Sequence, residues 1–156
     1  FLLTKGYGLG GELIQIQGDQ VHQVWKKNTV LKTKFTNAVQ YQKHAFALSD
    51  GRLECVDLQN GKRIWKSRKS YGHGQLLLCG SELLILAEKG YVALVRAWGG
   101  PESNTAKEGH VQFTSFQAIE GVTWNTIAMH GDLMLVRNSQ EAACYEMPLR
   151  FRSAKP

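Results

Sequence analysis

Residues 10–27, GGELIQIQGDQVHQVWKK, and residues 50–67, DGRLECVDLQNGKRIWKS, carry one pattern at an offset of 40. Gly11 falls on Gly51, Leu13 on Leu53, Ile16 on Val56, Trp25 on Trp65 and Lys26 on Lys66. A third copy starts at Gly90 as GYVALVRAW, without the later Trp, and a fourth is QEAACYEM at 140–147, where Cys144 takes the Cys55 position. The longer third-to-fourth interval matches a polar insert, WGGPESNTAKEG, at 98–109. A period near 40 built of short strands marks a propeller or a β-solenoid.

The unit has a physical logic. Leu53, Cys55 and Asp57 face one way and Glu54, Val56 and Leu58 the other. Apolar residues on both faces suit a strand packed between two neighbours. Asn60-Gly61 accepts positive φ at both positions, so a two-residue hairpin turn is expected there. The chain then returns as KRIWK, and the indoles of Trp25 and Trp65 are expected to seal the seams between adjacent sheets.

Other strands fall around these units. HAFALSDG, ELLILAEKG and DLMLVRNSQE each run into a copy, and FTNAVQYQ, GQLLLCG and WNTIAMHG precede them as innermost strands. HVQFTSFQAIEG, at 110–121, takes an outer position. The reading is an all-β chain: a partial β-propeller of about three and a half to four antiparallel four-stranded blades, with no amphipathic helix. About fourteen strands group as three, four, four and three, with both terminal blades incomplete. The blocks are 1–33, 34–70, 71–120 and 121–149, with a tail at 150–156.

The 156 residues are enough for one domain with a sizeable core. The net charge of +6 is scattered except at Lys62, Arg63, Lys66, Arg68 and Lys69, which alternate with Ile64 and Trp65 and read as the solvated face of a strand. A nucleic-acid partner is not expected, because such modules show a denser basic stripe with exposed aromatics. Cys55, Cys79 and Cys144 form no CxxC pair and lie in apolar stretches, so they are expected as small buried hydrophobes. The longest apolar run, Leu83 to Ala87, is too short to span a bilayer. The chain starts at Phe1 directly on a strand, which suggests a piece of a longer protein.

Candidate sites are few. GYGLGG at 6–11 fits GxGxxG, but it leads into the strand-like ELIQIQ and no acid follows about 20 residues on, so a turn is expected. His22, His44, His73, His110 and His130 show no metal-ligand spacing, and no metal site is expected. Three ligand-binding candidates remain. His73, flanked by Gly72 and Gly74 before an innermost strand, either faces a ligand at the channel mouth or serves turn geometry. Trp124 either stacks on a ligand there or packs between blades. Arg137 either binds an anion or pairs with Glu141.

The pattern at 51–65, Gly-x-Leu-x-Cys-Val-Asp-Leu-x-Asn-Gly-Lys-x-x-Trp, resembles the repeat of pyrroloquinoline-quinone-type β-propellers. The stretch 121–149 is similar to the final blade of such proteins. The resemblance covers nearly the whole chain. It implies a propeller, and a periplasmic or secreted location. Enzymes of that family hold a quinone cofactor, a calcium ion and often a vicinal disulfide. No residue here matches their catalytic pattern, so no catalytic residue and no cofactor is expected. The favoured function is a non-catalytic scaffold that binds a protein partner or a small polar ligand. A homodimer that closes the ring is an expected partner state. The alternatives are the C-terminal part of a quinoprotein-like enzyme, or a carbohydrate- or polyanion-binding module.

Overall fold

The computed structural model describes residues 1–97 and 110–148. The polar insert at 98–109 and the tail from 150 lie outside them. Among the described residues there are fourteen strands and no helix. They are β1 (Leu2–Lys5), β2 (Gly10–Gln17), β3 (Gln20–Lys27), β4 (Val39–Tyr41), β5 (His44–Ser49), β6 (Arg52–Asp57) and β7 (Arg63–Ser70). There follow β8 (Gln75–Cys79), β9 (Glu82–Leu86), β10 (Tyr91–Arg96), β11 (Gln112–Gln117), β12 (Ala128–His130), β13 (Leu133–Arg137) and β14 (Ala142–Glu146).

The strands form four antiparallel sheets of three, four, four and three, each in simple chain order. That grouping is the one read from the sequence. Sheet 1 holds β1–β3, sheet 2 β4–β7, sheet 3 β8–β11 and sheet 4 β12–β14.

The apolar core lies between successive sheets, in three layers. Between sheets 1 and 2 are Trp25, Leu31, Ala45, Ala47 and Val56. Between sheets 2 and 3 are Phe46, Leu48, Leu53, Cys55, Leu83, Ile85 and Val95. Between sheets 3 and 4 are Leu84, Leu86, Val92, Leu94, Met134 and Val136. Successive residues of β5, β6, β9 and β10 therefore enter different layers, which is why these strands are apolar on both faces. Each fully buried Leu contributes about 1.5–3 kcal/mol to burial.

Several details depart from the sequence reading. First, the offset of 40 does not hold across the whole unit. Trp25 faces Leu13 across the hairpin, whereas Trp65 faces Cys55. Equivalent third-strand positions thus lie 55 − 13 = 42 apart, while the tryptophans lie 65 − 25 = 40 apart. Each pairing sits beside a β-bulge, and the hairpin loops differ in length. The shift of two keeps the apolar pattern on the same face.

Second, Asn60-Gly61 is not a two-residue turn. The Asp57 and Lys62 backbones close a longer connection, with Asp57 N donating to Lys62 O at 2.9 Å and Gly61 N to Asp57 O at 2.8 Å. Only Gly61 of the pair has positive φ, at 67°. Asp57 accepts from Gln59 N at 2.7 Å and Asn60 Nδ2 at 2.9 Å, and this carboxylate scaffold favours the longer loop. Gly61 is required there. A Cβ on it would lie 2.7 Å from the Trp25 ring, whose Nε1 donates to Leu58 O at 2.8 Å.

Third, the basic cluster on β7 is more than a solvated face. Arg63 pairs with Glu54, which is 0% exposed and also accepts Leu31 N at 2.6 Å. Lys66 lies near Asp50, and Lys69 Nζ donates to Gln112 Oε1 at 2.9 Å. Of the three cysteines expected to be buried only Cys55 is; Cys79 is half-buried, and Cys144 is exposed on the outer face of sheet 4.

Candidate functional site

The connections that carry the chain from one sheet to the next cross one end of the molecule. A belt of backbone hydrogen bonds fixes them there. Asp50 N donates to Lys32 O at 3.0 Å, and Tyr71 N to Gly51 O at 2.7 Å. Glu88 N donates to Tyr71 O, and Thr123 N to Glu88 O, both at 2.9 Å. Each connection brings an aromatic ring just before the first strand of its sheet: Phe35 before β4, His73 before β8 and Trp124 before β12.

The three rings meet. Phe35 and Trp124 have centroids 5.0 Å apart with planes tilted by 39°. His73 meets Phe35 edge-on at 6.3 Å. Phe35 is 50% and Trp124 51% exposed, so the pair presents an open aromatic shelf. Gln75, buried at the head of β8, donates its amide to Phe35 O at 2.8 Å and to Trp124 O at 2.9 Å. One side chain thereby ties two of the connections together.

Glu88 anchors the cluster. Its Oε1 accepts Trp124 Nε1 at 2.8 Å and its Oε2 accepts His73 N at 3.2 Å. The indole hydrogen bond first, and then the His73 amide, hold its carboxyl below the usual range. Gly72 makes room for it: with φ at 68°, a Cβ there would come 2.4 Å from Glu88 Oε2. Nearby, Asp50 pairs with Lys32, whose hydrogen bond is the chief cause holding the Asp50 carboxyl low. Lys66 titrates below its ordinary value, chiefly through burial, with Glu54 and Asp50 opposing.

Beside Glu88 runs a cleft of about 430 Å³ lined by Ser70, Tyr71, Gly72, Glu88, Lys89 and Tyr91. The Lys69 ammonium lies 5.3 Å from the Tyr71 centroid and 5.1 Å from that of Tyr91. Tyr91 OH donates to Ser70 O at 3.3 Å. Burial raises the pKa of both phenols, so they remain donors at neutral pH.

The structure thus brings His73 and Trp124 together and does not add Arg137 to them. Arg137 ends β13 on the face that alternates with buried Met134 and Val136. It enters the belt through its carbonyl, which accepts Thr123 Oγ1 at 2.7 Å. Glu141 accepts Glu120 N at 2.7 Å, and among the described residues it forms no ion pair with Arg137. Trp25 lies at the seam of sheets 1 and 2, whereas Trp65 packs 6.0 Å from Phe46 and stacks on His110 at 6.0 Å. GYGLGG is a turn closed by Leu9 N to Gly6 O at 3.1 Å, and a strand follows it. No group of three or more His, Cys, Asp or Glu among the described residues could hold a metal. Phe35, Gln75 and Glu88 were not singled out from sequence. The signal that finds Phe35 is its place, like that of His73 and Trp124, just upstream of a sheet's first strand.

No protein-family model and no curated protein matches the sequence.

Proposed function

We propose that the chain is a run of β-propeller blades that binds a small polar ligand, without catalysis, at the end where Phe35, His73 and Trp124 meet. One observation carries this reading: three successive connections bring three rings together, two of those connections are tied to one carboxylate through the Trp124 indole and the His73 amide, and the Phe35 and Trp124 rings are half exposed. Supporting the propeller are the sequence repeat, the packing of each sheet on the next, and the approach of β4 to β8, first strands of adjacent sheets. The resemblance of 51–65 to pyrroloquinoline-quinone-type repeats agrees with it.

The chemistry at this end suits binding. Glu88 has both oxygens engaged and a lowered pKa, so at neutral pH it is ionised and a poor proton donor. Aromatic faces with a few placed polar groups are the usual furniture of a ligand site.

The test is a ligand-observed saturation-transfer NMR screen of small polar compounds against the wild type and a Phe35→Ala/Trp124→Ala variant. Both side chains are half exposed, so the variant is expected to keep its strand content by circular dichroism. Binders of the wild type should lose their signal with the variant. Undiminished binding by the folded variant would refute the site.

A second reading rests on the outer faces of the terminal sheets. Leu3, Ile16 and Val21 are 40%, 47% and 62% exposed on sheet 1, and Leu133 and Leu135 are 45% and 43% exposed on sheet 4. Sheet 1 matches the second to fourth strands of sheet 2, since Leu2–Leu13–Trp25 align as Phe46–Cys55–Trp65 do. Sheet 4 offers an open face at the other end. Two copies joined sheet 4 to sheet 1 at both contacts would close a ring with two-fold symmetry.

A further inference from the structure

The Glu88 carboxylate faces two surfaces at once. On one side lies the Phe35–Trp124 shelf, bound to it through the indole at 2.8 Å. On the other lies the cleft of about 430 Å³ walled by Tyr71 and Tyr91. Shelf, carboxylate and cleft therefore form one continuous strip. Ammonium groups border it: Lys89 lines the cleft, and Lys34 lies near Glu88. Glu88 and Asp50 supply acceptors, and Asp50 is already matched by Lys32. Lys69 is spread over two phenol rings and donates to Gln112. The strip offers flat aromatic surface, carboxylate acceptors and ammonium donors within one neighbourhood, with the Glu88 carboxylate at its middle.

A ligand that fits such a strip has an apolar face to stack and edge groups that both donate and accept. A polyanion laid along the strip would cross the Glu88 carboxylate, and a cation would compete with Lys32, Lys66 and Lys69. Rings bearing hydroxyl groups meet both demands without charge. We infer that the strip binds a neutral oligosaccharide, one ring stacked on Phe35 and Trp124 and the next reaching past Glu88 into the Tyr71–Tyr91 cleft. This deepens the proposed function and rests on it.

Within this account Gly72 is a positioning residue. Its missing Cβ leaves the space that the Glu88 carboxylate fills, so Gly72→Ala displaces the acceptor without removing it.

The experiment is isothermal titration of the chain with cellotriose, maltotriose and chitotriose, and with the matching monosaccharides, at low and high salt. At least one trisaccharide is expected to bind in the millimolar range or tighter, several-fold tighter than its monosaccharide and without dependence on salt. Trp124→Ala should weaken it by about tenfold, while Trp124→Phe keeps most of the affinity, because stacking needs a ring rather than an indole. Tyr91→Ala should weaken the trisaccharide and leave the monosaccharide unchanged. Sugar binding indifferent to Trp124→Ala in a folded variant overturns the inference. So does failure of all three trisaccharides. If in that case a heparin fragment or a quaternary amine binds and is lost in Trp124→Ala, the carbohydrate assignment falls while the binding face stands. If nothing that binds the chain responds to Phe35→Ala/Trp124→Ala, both fall.

Discussion

Glu54 is the residue on which the packing of sheets 1 and 2 turns. It is fully buried on β6, between the Leu31 amide and the Arg63 guanidinium. A buried carboxyl group in that setting is tolerable only while both partners are present. Glu54→Ala is expected to cost about 3 kcal/mol in urea denaturation, because it orphans a buried amide and strands the guanidinium. Glu54→Gln keeps an acceptor for Leu31 N and should cost roughly half as much. Glu88 makes the opposite case, an anchoring carboxylate near the surface. Its pKa is depressed in the fold, so what it adds is complete above the ordinary carboxylate range and is lost as the pH falls through the lowered folded value. Trp124 emission is therefore expected to change on acidification, with a midpoint below the ordinary carboxylate range. Glu88→Gln should flatten that change while leaving the spectrum near neutral pH almost as it was. An unaltered acid transition in Glu88→Gln would assign the titration elsewhere.

At the scale of elements, the loop 58–62 joins two sheets through a single glycine. Gly61 combines a positive φ with contact against the Trp25 ring. Gly18, in the β2–β3 turn, has φ of 57° and nothing within 4 Å of an added Cβ. Gly18→Ala is therefore expected to cost about 1 kcal/mol for the left-handed backbone alone. Gly61→Ala should cost about 2–3 kcal/mol more, from the collision with the indole. Equal costs in parallel urea titrations would mean that Trp25 does not rest on this loop. These two turns also show what the sequence could and could not reveal. The strand grouping was readable because β5, β6, β9 and β10 are apolar on both faces and the copies recur. The register was not, because a bulge beside Trp25 and another beside Trp65 leave no trace in the periodicity. His73 and Trp124 were visible as glycine-flanked or isolated aromatic residues before a strand. Phe35 lies in the less distinctive run KTKFTN, and Glu88 becomes notable only once Gly72 is seen to make space for it.

At the scale of the molecule, four sheets are joined by three apolar layers, and the two terminal faces carry exposed Leu, Ile and Val. The ring of two copies predicts self-association through those faces. Ile16→Lys with Leu135→Lys is expected to shift the mass seen by light scattering to that of one chain, with secondary structure retained. A wild type that is already a single chain at high concentration would rule out the ring. The binding end lies apart from these faces, on the connections between sheets, so the double variant should leave ligand affinity unchanged. The most direct test of the account uses the indole ¹H–¹⁵N spectrum of the chain, which has four tryptophans. During titration with the trisaccharides, the Trp124 resonance is expected to move saturably while those of Trp25, buried between sheets 1 and 2, and of Trp65, half-buried against Phe46, hold still. Movement of Trp25 or Trp65 with Trp124 unmoved would contradict it.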